Sequence, residues 1–254
     1  MSIIDELIAE KVVPVGTFLF SRSQAALEVI AAAGFDFVVI GTEHFMVNPE
    51  TIEGLITTAE ASDIIPLVRP GEGVNMISRV LDCGAMGVIA PRINTVDEAG
   101  EVVRSAKFFP MGERGVGNPR STDYGVRGAD YMDSCYEKQN EEQAVIVQIE
   151  TEKALGNLTG IAAVEGVDSL FVGPWDLLHS LDGPERVDRK KLLEEKISEV
   201  LSKCRASDIP AGIFAWDGPE ANKRIKQGFD YVVLAGDVVF LDQGAERGLA
   251  EIER

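Results

Sequence analysis

The stretch Val145-Ile146-Val147-Gln148-Ile149-Glu150-Thr151 runs apolar for five residues, is interrupted once by Gln148, and ends abruptly in a carboxylate. A short run of this kind is a buried strand. Helical patterning follows over residues 151–163, so the strand feeds a helix and Glu150 falls at the carboxyl end of a parallel strand. That end is where α/β folds place their chemistry. The next apolar run, Ser169 to Val172, ends in Gly173-Pro174-Trp175-Asp176. A second carboxylate therefore stands at the same edge of the neighbouring strand. Two carboxylates so placed can share one hard divalent cation; the plain alternative is that each pairs with an arginine or caps a helix.

Outward from these two strands the same alternation recurs. Ile3 to Ala9 patterns as a short leading helix. Apolar runs follow at 13–20 (broken by Gly16), 35–40, 64–68, 87–90, 209–214 and 231–235. Helical patterns lie between them, at 21–33 with Ser21 as N-cap, 48–62, 74–83, 96–108, 189–207 and 219–227, and Gly236-Asp237 opens a last helix. About eight strands alternating with helices argue for parallel βαβ units. Eight units in roughly 250 residues match a (β/α)8 TIM barrel, with a doubly wound open sheet as runner-up. Nothing marks a second domain or a sequence repeat, so residues 1–254 are expected to form one barrel domain. Residues 110–140, rich in Gly, Arg and polar side chains, break the rhythm as a long, functional connection.

With 254 residues and 45% hydrophobic side chains the chain can bury a large core. A net charge of −18 excludes nucleic-acid and anionic-membrane partners and leaves any acid-binding site dependent on local cations. The N-terminus has no signal-peptide pattern and no run is long enough to span a bilayer. Cys83, Cys135 and Cys204 are scattered and lack metal-site spacing, which reads as reduced thiols in a cytoplasmic protein.

In a barrel all strand ends face one pocket. Here they collect Glu43, His44, Arg69, Arg92, Gln148, Glu150, Asp176 and Asp237, a charged set that packing alone does not explain. Glu150 and Asp176 offer oxygen ligands suited to Mg, Mn or Co, with positions left open for catalysis. Arg69 can stabilise an enolate or bind a carboxylate. His44, beside Glu43, suits acid/base work, whereas His179 falls in a loop and reads as a surface residue. The glycine at 173 permits an unusual backbone angle, Pro174 suits a first helical turn, and N–H groups there could hold a carboxylate; an ordinary loop is the alternative. No strand ends in lysine and Lys153 lies a helical turn past Glu150, so Schiff-base chemistry is disfavoured.

Several segments taken in order carry a resemblance. They are Ala33-Gly34-Phe35-Asp36, Glu43-His44, Pro66-Leu67-Val68-Arg69-Pro70, Leu81-Asp82-Cys83-Gly84-Ala85, Pro110 to Gly117, Val147 to Thr151, and Gly173 to Leu177. Over nearly its whole length the chain resembles the HpcH/HpaI aldolase family, the metal-dependent class II pyruvate aldolases acting on substrates such as 4-hydroxy-2-oxoheptanedioate and 2-dehydro-3-deoxyglucarate. The resemblance implies a barrel that is often hexameric, its C-terminal helix swapped between neighbouring subunits. It implies Glu150 and Asp176 as metal ligands, Arg69 on the keto oxygen of pyruvate, and His44 as acid/base residue. Gln148 would line the pocket, and the backbone of Gly173, Pro174, Trp175 and Asp176 would hold the pyruvate carboxylate. Asp82 would support the histidine side of the site. The chain departs from the family at Gly41, where Asp is common, at Trp175, where a small or polar residue is common, and at Leu178, where Ser is common. The first removes a carboxylate that would orient His44; those at Trp175 and Leu178 point to a narrower or more apolar pocket.

The expected activity is reversible cleavage of a 4-hydroxy-2-oxo acid to pyruvate and an aldehyde, with His44 or a metal-activated water taking the 4-hydroxyl proton. A citrate- or malyl-CoA-lyase-like enzyme, a barrel that binds metal and 2-oxo acid without turnover, and a phosphosugar barrel are the alternatives.

Overall fold

The computed structural model describes residues 1–71, 73, 75–181 and 186–253. Eight parallel strands, β1 (Val15–Leu19), β2 (Phe37–Gly41), β3 (Ile65–Arg69), β4 (Gly87–Ala90), β5 (Ala144–Ile149), β6 (Ser169–Val172), β7 (Ala211–Ala215) and β8 (Tyr231–Gly236), close into a barrel in chain order, β8 pairing with β1. Preceding β1 is α1 (Ile3–Glu10). The strands alternate with α2 (Gln24–Ala32), α3 (Pro49–Ala61), α4 (Asn75–Asp82), α5 (Val96–Ala106), α6 (Ala129–Glu142), the short α7 (Glu152–Gly156) and α8 (Leu158–Ala162), α9 (Pro174–Ser180), α10 (Arg186–Ala206) and α11 (Gly218–Gln227); α12 (Asp237–Ala250) follows β8. The expected barrel is therefore present. Val74, read above as the start of the fourth helix, lies outside the described residues.

Inside the barrel, Phe18, Phe37, Val39, Leu67, Ile89, Ile146, Phe171, Tyr231 and Val233 form one packed cluster, and Ile3, Ile4 and Leu7 of α1 join it. Two larger clusters fill the space between strands and helices. Gly16 does not break β1, as its composition suggested. A Cβ there would lie 2.2 Å from the Phe37 ring, and one at Gly212 would lie 2.1 Å from Tyr231, so both glycines make room for inward aromatics. Ser21 is not the cap of α2, because its N–H donates to Asp237; Ser23 caps instead, accepting from the Ala26 N–H at 3.1 Å.

A short repeat that sequence inspection missed fixes the N-terminal rim. Gly34-Phe35-Asp36, Gly166-Val167-Asp168 and Gly228-Phe229-Asp230 each place a left-handed glycine (φ 90°, 91° and 99°) between a helix and an even-numbered strand. The aspartates accept from an N–H at the start of the preceding strand, at Val15, Val145 and Ala211, over 2.7–2.8 Å. At the fourth such junction the acid is replaced by Met86, whose N–H donates to the Pro66 carbonyl. Pro66 has no N–H to satisfy, so no carboxylate is needed.

The long connection is also more ordered than its pattern suggested, since α6 spans its second half. Asn140 is the one buried residue of that helix, so no apolar stripe announces it. Asn140 accepts from the Phe108 N–H at 2.7 Å, and the Asn140 and Gln143 carbonyls accept from Lys107 Nζ at 2.9 and 2.6 Å. Lys107, 1% exposed, thus has a structural post at the N-terminal rim, facing Asp168 at 3.6 Å.

Candidate active site

The C-terminal rim gathers most of the strand-end set. β2 runs into Thr42-Glu43-His44, and Thr42 ties this turn to β3: its N–H and hydroxyl donate to the Arg69 carbonyl at 3.0 and 3.1 Å, and its hydroxyl accepts from the Gly71 N–H. Arg69 is thereby fixed at its backbone, and its guanidinium rests 4.6 Å from the centroid of the Phe18 ring. Glu43, 7% exposed at its side chain, is the hub. Its carboxylate lies 3.4 Å from Arg69 Nε, 3.2 Å from Arg92 Nε and 3.7 Å from His44 Nε2. His44 itself is half exposed at the mouth. Burial pushes the Arg69 guanidinium below its ordinary value, while Glu43, Glu150 and Asp176 all push it back up, so the cation sits among three carboxylates.

Glu150 follows β5 and is almost fully buried. It accepts from the Arg92 N–H at 2.5 Å and from the Gln148 side-chain amide. Arg92 holds a left-handed backbone (φ 59°) where β4 ends, a strained state for a non-glycine residue that aims its N–H at this carboxylate. Burial raises the Glu150 carboxyl above its ordinary value; the two hydrogen bonds oppose this, and the charges of Asp176 and Glu43 reinforce it. Gly173 has an ordinary φ of −96°, contrary to the expected unusual angle. The reason for glycine is space: a Cβ would lie 3.0 Å from Gln148 Nε2 and 3.2 Å from Glu150 Oε2. Its N–H is spent on the Ile149 carbonyl and Pro174 has none, so the first turn of α9 presents the Trp175 and Asp176 N–H groups alone.

The pocket between these groups has a volume of about 460 Å³ and is lined by His44, Arg69, Gln148, Gly173 to Asp176, and aromatic rings. Among the described residues, buried Gln148 Oε1 has no hydrogen-bond partner, and Glu43 Oε2 and Arg69 Nε meet only as an ion pair at 3.4 Å, which suits a site that awaits a polar ligand. For a divalent cation, Glu150 keeps free lone pairs, and among the described residues no hydrogen bond or ion pair occupies the Asp176 oxygens. Two hard oxygen donors that repel each other fit such an ion. Among the described residues no group of three or more His, Cys, Asp or Glu forms a closed cage, so open coordination positions remain.

Two members of the expected set, Asp82 and Asp237, stand apart. Asp82 ends α4 at the opposite, N-terminal face of the barrel and pairs with Arg114 at 2.6 Å, so within one chain it does not support His44 as the resemblance implied. Asp237 is spent on the closure of the barrel, accepting from the Phe20 and Ser21 N–H groups at 2.8 and 3.0 Å. His179 lies on α9 rather than in a loop, exposed and edge-on to Trp175. The residue under-read in the sequence is Glu43; its signal was its place directly after a strand, beside His44.

Residues 15–241 match the HpcH/HpaI aldolase/citrate lyase family. The chain is 34% identical over 242 residues to the 2-keto-3-deoxy-L-rhamnonate aldolase of Klebsiella pneumoniae subsp. pneumoniae, covering 93% of this chain and 87% of that one. It is 34% identical over 245 residues to the hydroxypyruvate/pyruvate aldolase of Paraburkholderia phytofirmans, covering 93% and 92%. A solved HpcH/HpaI aldolase/citrate lyase family protein from Burkholderia cenocepacia J2315 superposes with a TM-score of 0.87 at 30% identity over 99% of both chains.

Proposed function

The chain belongs to the HpcH/HpaI aldolase/citrate lyase family and is an aldolase; on that premise we propose that it depends on a divalent metal and cleaves a 4-hydroxy-2-oxo acid reversibly to pyruvate and an aldehyde, at the C-terminal rim of the barrel. The observation that carries this reading is Arg69, a buried cation set among Glu43, Glu150 and Asp176 at the floor of the pocket.

Glu150 and Asp176 would hold the divalent cation, Mg, Mn or Co. When bound, that ion supplies Lewis-acid polarisation of the substrate's 2-oxo group. Arg69, which lines the same pocket, would bind that oxygen and stabilise the negative charge that develops there. The Trp175 and Asp176 N–H groups receive the substrate carboxylate. His44, with the Glu43 carboxylate 3.7 Å away, takes the proton of the 4-hydroxyl. The C3–C4 bond then breaks, its electrons passing to C3 and C2 as the enolate of pyruvate, while C4 and its oxygen leave as the aldehyde. Protonation of C3 gives pyruvate. Gln148 and the Arg92 N–H keep Glu150 oriented, and Gly173 leaves the room for it.

The protein is further proposed to work as a homo-oligomer, a hexamer by family. What supports this is α12, which leaves Leu241 73% exposed along with Val238 and Leu249, an apolar stripe suited to a neighbouring subunit. No helix among the described residues is long and apolar enough to cross a membrane, and all three cysteines are unpaired, which suits a cytoplasmic setting.

Pyruvate release from 4-hydroxy-2-oxo acids tests the reading, run with metal-stripped protein and again with Mg, Mn or Co restored. Release that returns with metal is expected. Glu150→Gln is expected to abolish it through lost metal; an active, metal-bound Glu150→Gln enzyme would contradict the assignment.

A further inference from the structure

Among the described residues, the charged and amide side chains that line the pocket, His44, Arg69, Gln148 and Asp176, are taken up by the reacting C1 to C4 portion of the substrate and its metal. What remains for the substituent beyond C4 is aromatic. Phe45 stacks on Phe20 with centroids 4.9 Å apart, and Phe20 stacks on Phe18 at 5.1 Å. Phe18 meets Phe214 at 6.1 Å, Phe214 meets Trp216 edge-on at 5.5 Å, and Trp216 lies nearly parallel to Trp175 (14°) at 6.3 Å. The arc runs from the loop after β2, across β1 and β7, to α9. It ends in rings left open to solvent: Trp175 is 63% exposed and Trp216 59%.

Two features show that the arc is built. Phe20 occupies a slot that needs glycine on both sides, since a Cβ at Gly41 would lie 2.9 Å from its ring and one at Gly236 2.7 Å. Trp216 is fixed at its backbone, its N–H donating to Glu220 at 3.0 Å, which leaves the indole to line the mouth.

Resting on the aldolase reading above, we infer that the aldehyde handled here carries an aromatic, or equally flat apolar, substituent rather than a polyol chain or a second carboxylate. A polyol would need hydroxyl or amide partners, and a carboxylate a further cation. Among the described residues the pocket lining adds only the two indole N–H groups and no further cation. An aryl group on C4 would cover ring faces now in water and gain both burial and stacking.

The chain's two tryptophans are Trp175 and Trp216, so intrinsic fluorescence reports on this mouth alone. The full-length protein with Mg is titrated with 2-oxo-4-phenylbutanoate, which lacks the 4-hydroxyl and cannot be cleaved, and with 2-oxobutanoate and 2-oxoadipate. Saturable quenching with the phenyl compound bound about tenfold tighter or more is expected. Trp216→Ala should erase that advantage while pyruvate affinity changes by less than about twofold. Phe45→Ala, at the other end of the arc, should weaken phenyl binding in the same selective way. Equal affinities for the three ligands would overturn the inference, as would indifference to both substitutions. A tryptophan signal that responds to protein dilution and not to ligand would also overturn it, by showing that a second copy covers the rings. Tight phenyl binding without pyruvate release from any substrate would uphold the aryl site and sink the aldolase reading instead.

Discussion

A single hydrogen atom at position 41 decides what the mouth of the pocket can be. Any side chain there meets the Phe20 ring, so Gly41→Asp is expected to destabilise the fold by about 1 to 3 kcal/mol through overpacking. Adding Phe20→Ala should recover most of that loss, a coupling that denaturant unfolding of the two single variants and the double variant would measure. Additive losses would contradict the contact. Gly173 makes a parallel case closer to the chemistry. Gly173→Ala forces a methyl against Glu150 and Gln148; kcat/KM should fall by about a hundredfold, since small displacements of positioned groups cost that much, with little change in melting temperature. At this scale the sequence was half legible. Gly41 and Trp175 stood out as departures, but their shared cause, an aromatic arc, joins residues from four separate strand ends and becomes visible only when the barrel register brings them together. Gly173 was noticed for the wrong reason, because crowding by a neighbouring strand's side chains leaves no mark in local sequence.

At the scale of elements, apolar runs of four to six residues bounded by glycines and acids gave away the strands, since buried parallel strands have no polar face to disguise them. Helices with an apolar stripe were equally readable. α6 was not, because its buried contacts are polar and pair with Phe108 and Lys107. α10 and α11 are locked by another polar device. Arg224, almost wholly buried, makes bonds to Glu194 at 2.8 and 2.9 Å and to Glu220 at 3.0 Å. Arg224→Ala should cost about 3 kcal/mol by leaving its partners unpaired, read from chemical denaturation. Burial alone would raise the Glu194 carboxyl, but hydrogen bonds and charge from Arg224 and Lys223 outweigh it and hold the group at about 2, against an ordinary 4.5. A depressed carboxyl stabilises the fold fully above its unfolded value and loses that contribution as pH falls through its folded value. The part of acid destabilisation between about pH 4.5 and 2 that belongs to this pair should therefore be missing in Glu194→Gln. An unchanged acid limb would contradict the lock.

For the whole molecule, the barrel brings the acids of separate strands together beneath a chain already carrying a net charge of −18, so the proposed cation at Glu150 and Asp176 would relieve repulsion as well as enable chemistry. A divalent ion at a hundredfold excess over its Kd should stabilise the fold by about 2.7 kcal/mol, a shift that Glu150→Gln abolishes in a thermal melt. Leu241→Asp on α12 should reduce the mass measured by light scattering if that helix packs between subunits; unchanged mass would remove α12 from the interface. The family was legible in the sequence because its motifs sit at strand ends, where chain order survives folding. Asp82 misled for the same reason in reverse: a motif residue at a helix end lies at the other face of the barrel. The most direct test of the central claim, that this rim makes and stabilises the enolate of pyruvate, is exchange of pyruvate methyl protons in deuterated water, which needs no aldehyde. Metal-loaded protein should exchange them, and Glu150→Gln and Arg69→Ala should not. Absence of exchange in the metal-loaded protein, or its persistence in Glu150→Gln, would contradict the account.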